Sequence, residues 1–114
     1  MFSDISSQEL NHLITAGQAE IIDVREPDEF DLIRIKYSKL IPMGEIFDRL
    51  SEIEWDKKVV VVCRTGSRSR HVALKLGEFG ESVLNLEKGI KELYINNSDH
   101  LVYADMSKVD DYLR

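Results

Sequence analysis

The chain of 114 residues has one cysteine, two prolines, six glycines and one tryptophan. A single cysteine excludes an internal disulfide and any multi-cysteine zinc site. His12, His71 and His100 show no metal-ligand spacing with one another or with that cysteine. No run approaches the roughly 18 apolar residues of a membrane span, and Met1-Phe2-Ser3-Asp4-Ile5 lacks the basic and apolar regions of a secretory leader. Few Gly and Pro, with 43% hydrophobic and 32% charged residues, exclude a fibrous or disordered chain. Net charge −6 leaves no general basic footprint for nucleic acid or anionic membrane. A reducing cytoplasm is the expected setting for one soluble domain.

Positive charge is instead concentrated. From Lys57 to Lys75 there are Lys57, Lys58, Arg64, Arg68, Arg70 and Lys75 and no acidic residue, so this stretch carries +6 and the remainder −12. The run surrounds the only cysteine and reads as a segment built to meet anions.

Strand and helix patterns alternate, with no internal repeat or linker. Ser6 and Glu9 form a capping pair for a helix carrying Leu10, Leu13 and Ile14 to about Ala16. Ile21 to Arg25 reads as a strand, and Pro27 suits a first helical position. Leu40-Ile41-Pro42 is a short extended piece, and Ile46, Phe47 and Leu50 predict a helical face. Val59-Val60-Val61-Val62 is an unbroken β-branched run, as expected of a central parallel strand buried on both faces. Val72, Ala73, Leu76 and Phe79 predict a helix from Ser69 to Gly80, before a strand at Val83–Leu86. In the less regular tail, Ser107 is expected to cap a last turn bearing Val109, Tyr112 and Leu113. The pattern predicts an α/β fold: a mostly parallel central sheet with helices on both faces.

Candidate chemistry lies in Val62-Cys63-Arg64-Thr65-Gly66-Ser67-Arg68-Ser69-Arg70, where a buried strand ends and a helix begins. Ligands of open parallel sheets bind at that edge. Backbone N–H groups, Gly66 and the positive helix end make an anion cradle around sulfur that favours thiolate over thiol. Arg64 and Arg68 are expected to contact an anionic substrate, with Thr65, Ser67 and Ser69 as hydroxyl donors. Asp23 and Arg25, at the same sheet edge, are expected to support neighbouring loops. His71 and Trp55 read as surface and packing residues. Two cysteine chemistries share this layout, phosphate-ester hydrolysis and sulfur transfer. A Cys-x5-Arg phosphatase loop needs arginine where this chain has Ser69.

Cys63-Arg64-Thr65-Gly66-Ser67-Arg68-Ser69 resembles the active-site loop of single-domain rhodaneses, the thiosulfate-type sulfurtransferases. Ile21-Ile22-Asp23-Val24-Arg25-Glu26-Pro27-Asp28-Glu29-Phe30 resembles the family's first strand motif, and Asn85-Leu86-Glu87-Lys88-Gly89-Ile90 its closing strand-to-helix motif. The resemblance implies a rhodanese-like domain over residues 1–93 and a C-terminal extension, a short docked helix, over 94–114. It departs at Ile33 to Ser38, where the family has a Gly-His-Ile and a Pro-Gly-Ala-like turn. Lys88 replaces a usual Gly, and Leu93 a common Trp. By the resemblance Cys63 takes up a sulfane sulfur as a persulfide and passes it to a thiol or cyanide, with no cofactor. The implied partners are a small anionic donor such as thiosulfate and a thiol acceptor or sulfur-relay protein, with no nucleic acid or membrane, in a monomer or homodimer. Alternatives are a sulfur-relay carrier, a non-catalytic binding module and, least favoured, a cysteine phosphatase.

Overall fold

Strand β5 (Lys58–Val62) occupies the middle of a five-stranded sheet in a computed structural model that describes residues 2–114. It lies between β2 (Ala19–Asp23) and β6 (Val83–Leu86), with β1 (Phe2–Ile5) and β4 (Lys39–Leu40) at the edges, in the order β1-β6-β5-β2-β4. Every pairing in this sheet is parallel, with Asp23 beside Val62 and Val61 beside Asn85. Because side chains alternate across a strand, the valine run serves two cores. Val60 and Val62 pack with Leu10, Ile90, Leu93, Val109 and Leu113. Val59, Val61 and Cys63 face Val72, Ala73, Leu76 and Ile46. Helices α1 (Ser7–Thr15), α4 (Gly89–Ile95) and α5 (Met106–Leu113) supply the first layer, and α3 (Ser67–Glu78) supplies the second. This is the α/β architecture read from the sequence.

Local signals account for several boundaries. Ser6 caps α1 in a capping box, its Oγ accepting the Glu9 N–H at 3.1 Å. Pro27 opens α2 (Pro27–Leu32), where its missing N–H costs nothing. Phe2 to Ile5 carries no alternating signal, yet it pairs with β6 from Val83 to Leu86.

Three expectations need correction. Met43–Asp48 is a 3₁₀ segment, followed by a second at Leu50–Glu52, and Phe47 is 39% exposed rather than facing the core with Ile46. The stretch is short, follows Pro42 and contains Gly44, so i→i+3 bonds such as Glu45 N–H to Pro42 C=O at 2.8 Å suffice. Helix α3 starts at Ser67, one turn's fraction earlier than Ser69, because the loop itself winds into the helix. Asp105, not Ser107, caps α5, its carboxylate accepting N–H bonds from Ser107 and Lys108.

The atypical segment and the tail find each other. Strand β3 (Ile33–Ile35) pairs antiparallel with β7 (Leu101–Tyr103), burying Ile33 and Ile35 completely. Residue 93 falls within α4, and beyond β7 the chain ends in α5, with Val109 and Leu113 in the core.

Candidate active site

The cysteine loop is pinched between backbones. At Gly66, φ is +100°, and a Cβ there would stand 2.8 Å from the Glu87 carbonyl carbon and closer to its oxygen. At Gly89, φ is +68° and a Cβ would meet the Thr65 Cα at 2.7 Å. Both positions therefore demand glycine for conformation and for space. The first N–H groups of α4 are spent on this loop: Ile90 donates to the Cys63 carbonyl and Lys91 to the Arg64 carbonyl, each at 3.0 Å. With those carbonyls held outward by α4, the following N–H groups are free to turn inward.

They turn onto sulfur. Cys63 Sγ accepts the Gly66 N–H at 3.1 Å and the Ser69 N–H at 3.4 Å, and the Ser69 hydroxyl stands 3.4 Å away. Gly66 is the N-cap of α3 and has no side chain to cap it. The cysteine sulfur takes the place that a capping oxygen usually holds at the third N–H of a helix. The N–H groups of Ser67 and Arg68, in the same first turn, have no intrahelical acceptor, as at any helix start. Oriented N–H dipoles thus converge on Sγ. Cys63 is 1% exposed and Ser69 is fully buried. Thr65 and Ser67 are exposed on the rim, and His71 is exposed on α3. Trp55 is half-buried, donating to the Leu50 carbonyl at 3.2 Å, as a packing residue.

The two arginines assigned to anion contact are already engaged. Arg64 donates from Nε to the Tyr112 carbonyl at 2.8 Å and lies over the Tyr112 ring. Arg68 forms a two-pronged pair with Glu29, at 2.7 and 2.8 Å. Of the other basic residues between Lys57 and Lys75, Lys57 pairs with Glu54 and Arg70 with Asp4. Much of the +6 run is therefore answered by carboxylates of the chain itself.

Asp23 and Arg25 form an ion pair at 2.7 Å with both side chains fully buried. Arg25 also donates to the carbonyls of Ile33 at 2.6 Å and Glu29 at 3.2 Å, and to the Tyr112 hydroxyl at 3.2 Å. Burial opposes its charge, and the bonds it donates to Asp23 and Tyr112 outweigh that and hold the guanidinium protonated. The pair thus ties β2, α2, β3 and α5 together beside the cysteine loop.

Glu29 and Tyr112 were not among the candidates from sequence. Glu29 lies inside the Ile21 to Phe30 motif, but a lone glutamate on a short helix reads as solvated. Its carboxylate accepts four hydrogen bonds: two from Arg68, one from the Tyr112 hydroxyl at 2.6 Å and one from the Glu26 N–H at 2.9 Å. The Arg68 bonds, against the cost of burial and with help from Tyr112, bring its pKa down to about 2. Nothing local in the tail marks Tyr112 as a partner of residues more than eighty positions away.

A cysteine sulfur capping the helix that follows a central parallel strand, with a second helix binding the loop carbonyls, defines a cysteine site on an α/β sheet. The model of the Rhodanese-like domain family matches residues 6–96. A protein named sulfurtransferase from Allochromatium vinosum is 36% identical over 92 residues, covering 79% of this chain and 86% of that protein. YtwF of Bacillus subtilis (strain 168) is 35% identical over 88 residues, 76% of this chain and 85% of its own length. The crystal structure of a rhodanese-related protein from Thermoplasma volcanium superposes with a TM-score of 0.77 at 30% identity, covering 87% of this chain and 96% of that one. The chain belongs to the rhodanese-like family, and its relatives place it among proteins of sulfur transfer or sulfur relay. Among the described residues no helix is long and apolar enough to cross a membrane.

Proposed function

We propose that this protein is a rhodanese-type sulfurtransferase that carries sulfane sulfur as a persulfide on Cys63. The observation that supports the reading is the set of donors converging on Cys63 Sγ from Gly66 and Ser69. In the first half-reaction the Cys63 thiolate attacks the outer sulfur of thiosulfate. The new S–S bond takes that sulfur, the old one breaks, and sulfite leaves with the bonding electron pair. Total charge is unchanged, since the persulfide keeps the charge the thiolate had. In the second half-reaction an acceptor thiolate or cyanide attacks the outer persulfide sulfur and Cys63 leaves as thiolate. No cofactor enters either step, because the attacking nucleophile supplies the electron pair of each new bond and the leaving group takes that of the bond broken.

The unpartnered N–H groups of Ser67 and Arg68 are the donors available for a second sulfur atom beyond Sγ. Asp23 and Arg25 hold the loop's surroundings rather than the substrate. The partners proposed are a small sulfane-sulfur donor and a thiol acceptor or relay protein, in a cytoplasm reducing enough to keep one thiol free. A phosphatase reading has Ser69, buried and bonded to sulfur, where its phosphate-binding arginine would be needed.

The test is intact mass after incubation with excess thiosulfate or a small organic persulfide, beside Cys63→Ser. The expected result is a gain of one sulfur that requires Cys63 and is removed by a thiol reductant. A folded protein with free Cys63 that gains no sulfur from either donor would refute the proposal.

A further inference from the structure

We infer that Glu29 determines donor choice at Cys63 by keeping Arg68 away from the incoming anion. The inference rests on the sulfur-acceptor reading above and adds the substrate class. Arg68 stands in the first turn of α3, between the Gly66 and Ser69 N–H groups that bond Cys63 Sγ, yet both of its terminal nitrogens donate to Glu29. Glu29 in turn has little freedom to release it. Four donors saturate its two oxygens, and its side chain is 15% exposed. One donor is the hydroxyl of Tyr112, which the buried Arg25 holds from behind at 3.2 Å.

Charges near the loop then cancel in pairs, Asp23 against Arg25 and Glu29 against Arg68. Arg64 is engaged as well, bonded to the main-chain oxygens of Tyr112 and Arg114 in the tail. A site whose two loop arginines are already engaged is poorly matched to a free dianion. Thiosulfate brings two negative charges and departs as a sulfite dianion, whereas an organic persulfide brings one at its reacting end and departs as a thiol or thiolate. Backbone N–H groups serve either, since they bind the transferred sulfur and not the sulfonate. Glu29 therefore biases Cys63 toward persulfides on organic or protein thiols.

The test measures the second-order rate constant for loading Cys63 by thiosulfate and by cysteine persulfide in the wild type, Glu29→Gln, Arg68→Gln and the double variant. Gln at position 29 keeps an acceptor for the Glu26 N–H, as capping boxes allow. Glu29→Gln is expected to speed thiosulfate loading about three- to tenfold and persulfide loading less than about twofold. Arg68→Gln slows thiosulfate, and the double variant returns to within about twofold of the wild type because the removed charges cancel. Tyr112→Phe, which keeps the ring and removes only the hydroxyl, moves the donor ratio in the direction of Glu29→Gln by about twofold, and serves if the Gln variant is poorly folded. If Arg68→Gln and the double variant are equally slow with thiosulfate, Arg68 binds the donor in the wild type and the inference is overturned. A donor ratio unchanged in both Glu29→Gln and Tyr112→Phe overturns it as well. A wild type that loads from neither donor overturns the sulfur-acceptor reading itself, and this inference with it.

Discussion

Replacing Gly66 by alanine puts one carbon where the structure has room for none. Two costs add. The first is conformational: φ of +100° is disfavoured for an L residue by about 1–2 kcal/mol. The second is steric. The new Cβ would lie 2.8 Å from the Glu87 carbonyl carbon and closer still to its oxygen, so Glu87 must retreat by well over 0.6 Å to reach the 3.4 Å of ordinary contact. Glu87 is fixed on both sides, by its own N–H bond to the Ile5 carbonyl and by the Ile90 and Lys91 bonds to Cys63 and Arg64. Disturbing two of these at about 1 kcal/mol each brings the total to about 3–4 kcal/mol. Gly80→Ala is the matched control, because φ there is +89° but nothing lies within 4 Å of the added carbon. It should cost only the conformational part, about 1–2 kcal/mol. In thermal melts followed by circular dichroism, Gly66→Ala is expected to fall by roughly 15 °C and Gly80→Ala by about 5 °C. Sulfur loading should suffer only in Gly66→Ala, since the Gly66 N–H is one of the donors to Sγ. A Gly66→Ala protein as stable as Gly80→Ala would refute the pinched-backbone account of the loop.

Other consequences are equally open to measurement. Asp23→Ala leaves the buried Arg25 without its counter-charge and should cost about 3–5 kcal/mol in urea unfolding, and a loss under about 1 kcal/mol would contradict the role given to that pair. Because the Glu29 pKa is lowered to about 2, its pairing adds stability that is complete above its ordinary value near 4.5 and is lost as pH falls toward 2. Acidification from neutrality to about pH 3 should therefore destabilise the wild type more than Glu29→Gln, and identical pH profiles would show the pair to contribute nothing. Leu113→Ala, opening a gap in the core beneath α5, should cost about 2 kcal/mol; an unchanged urea midpoint would mean that the tail is not docked in solution.

What could be read from sequence was what local chemistry dictates. Val59 to Val62 admits few structures other than a buried strand, and Ser6 with Glu9 marks a helix start by its own hydrogen bonds. The turn from that strand into α3 through Gly66 followed from residue types in immediate succession, as did the convergence of donors on Cys63. Long-range pairing was less legible. The edge strand Phe2–Ile5 shows no burial alternation because only Ile5 is buried, and its conformation comes from β6. Strands β3 and β7 have three residues each and exist through one another. Arg64 and Arg68 were read as open to anions because their charges are visible in the sequence while their partners, Tyr112 and Glu29, are distant. Charge concentrated along a chain measures local composition, and the fold decides how much of it remains uncompensated.

The central claim is that Cys63 holds one transferable sulfur. Its most direct measurement loads the protein with excess donor, removes the donor, adds cyanide and counts the thiocyanate released per chain. The account predicts about one equivalent from the wild type and none from Cys63→Ser. Thiocyanate released equally by Cys63→Ser, or none from a wild type shown to carry a free thiol, would contradict it.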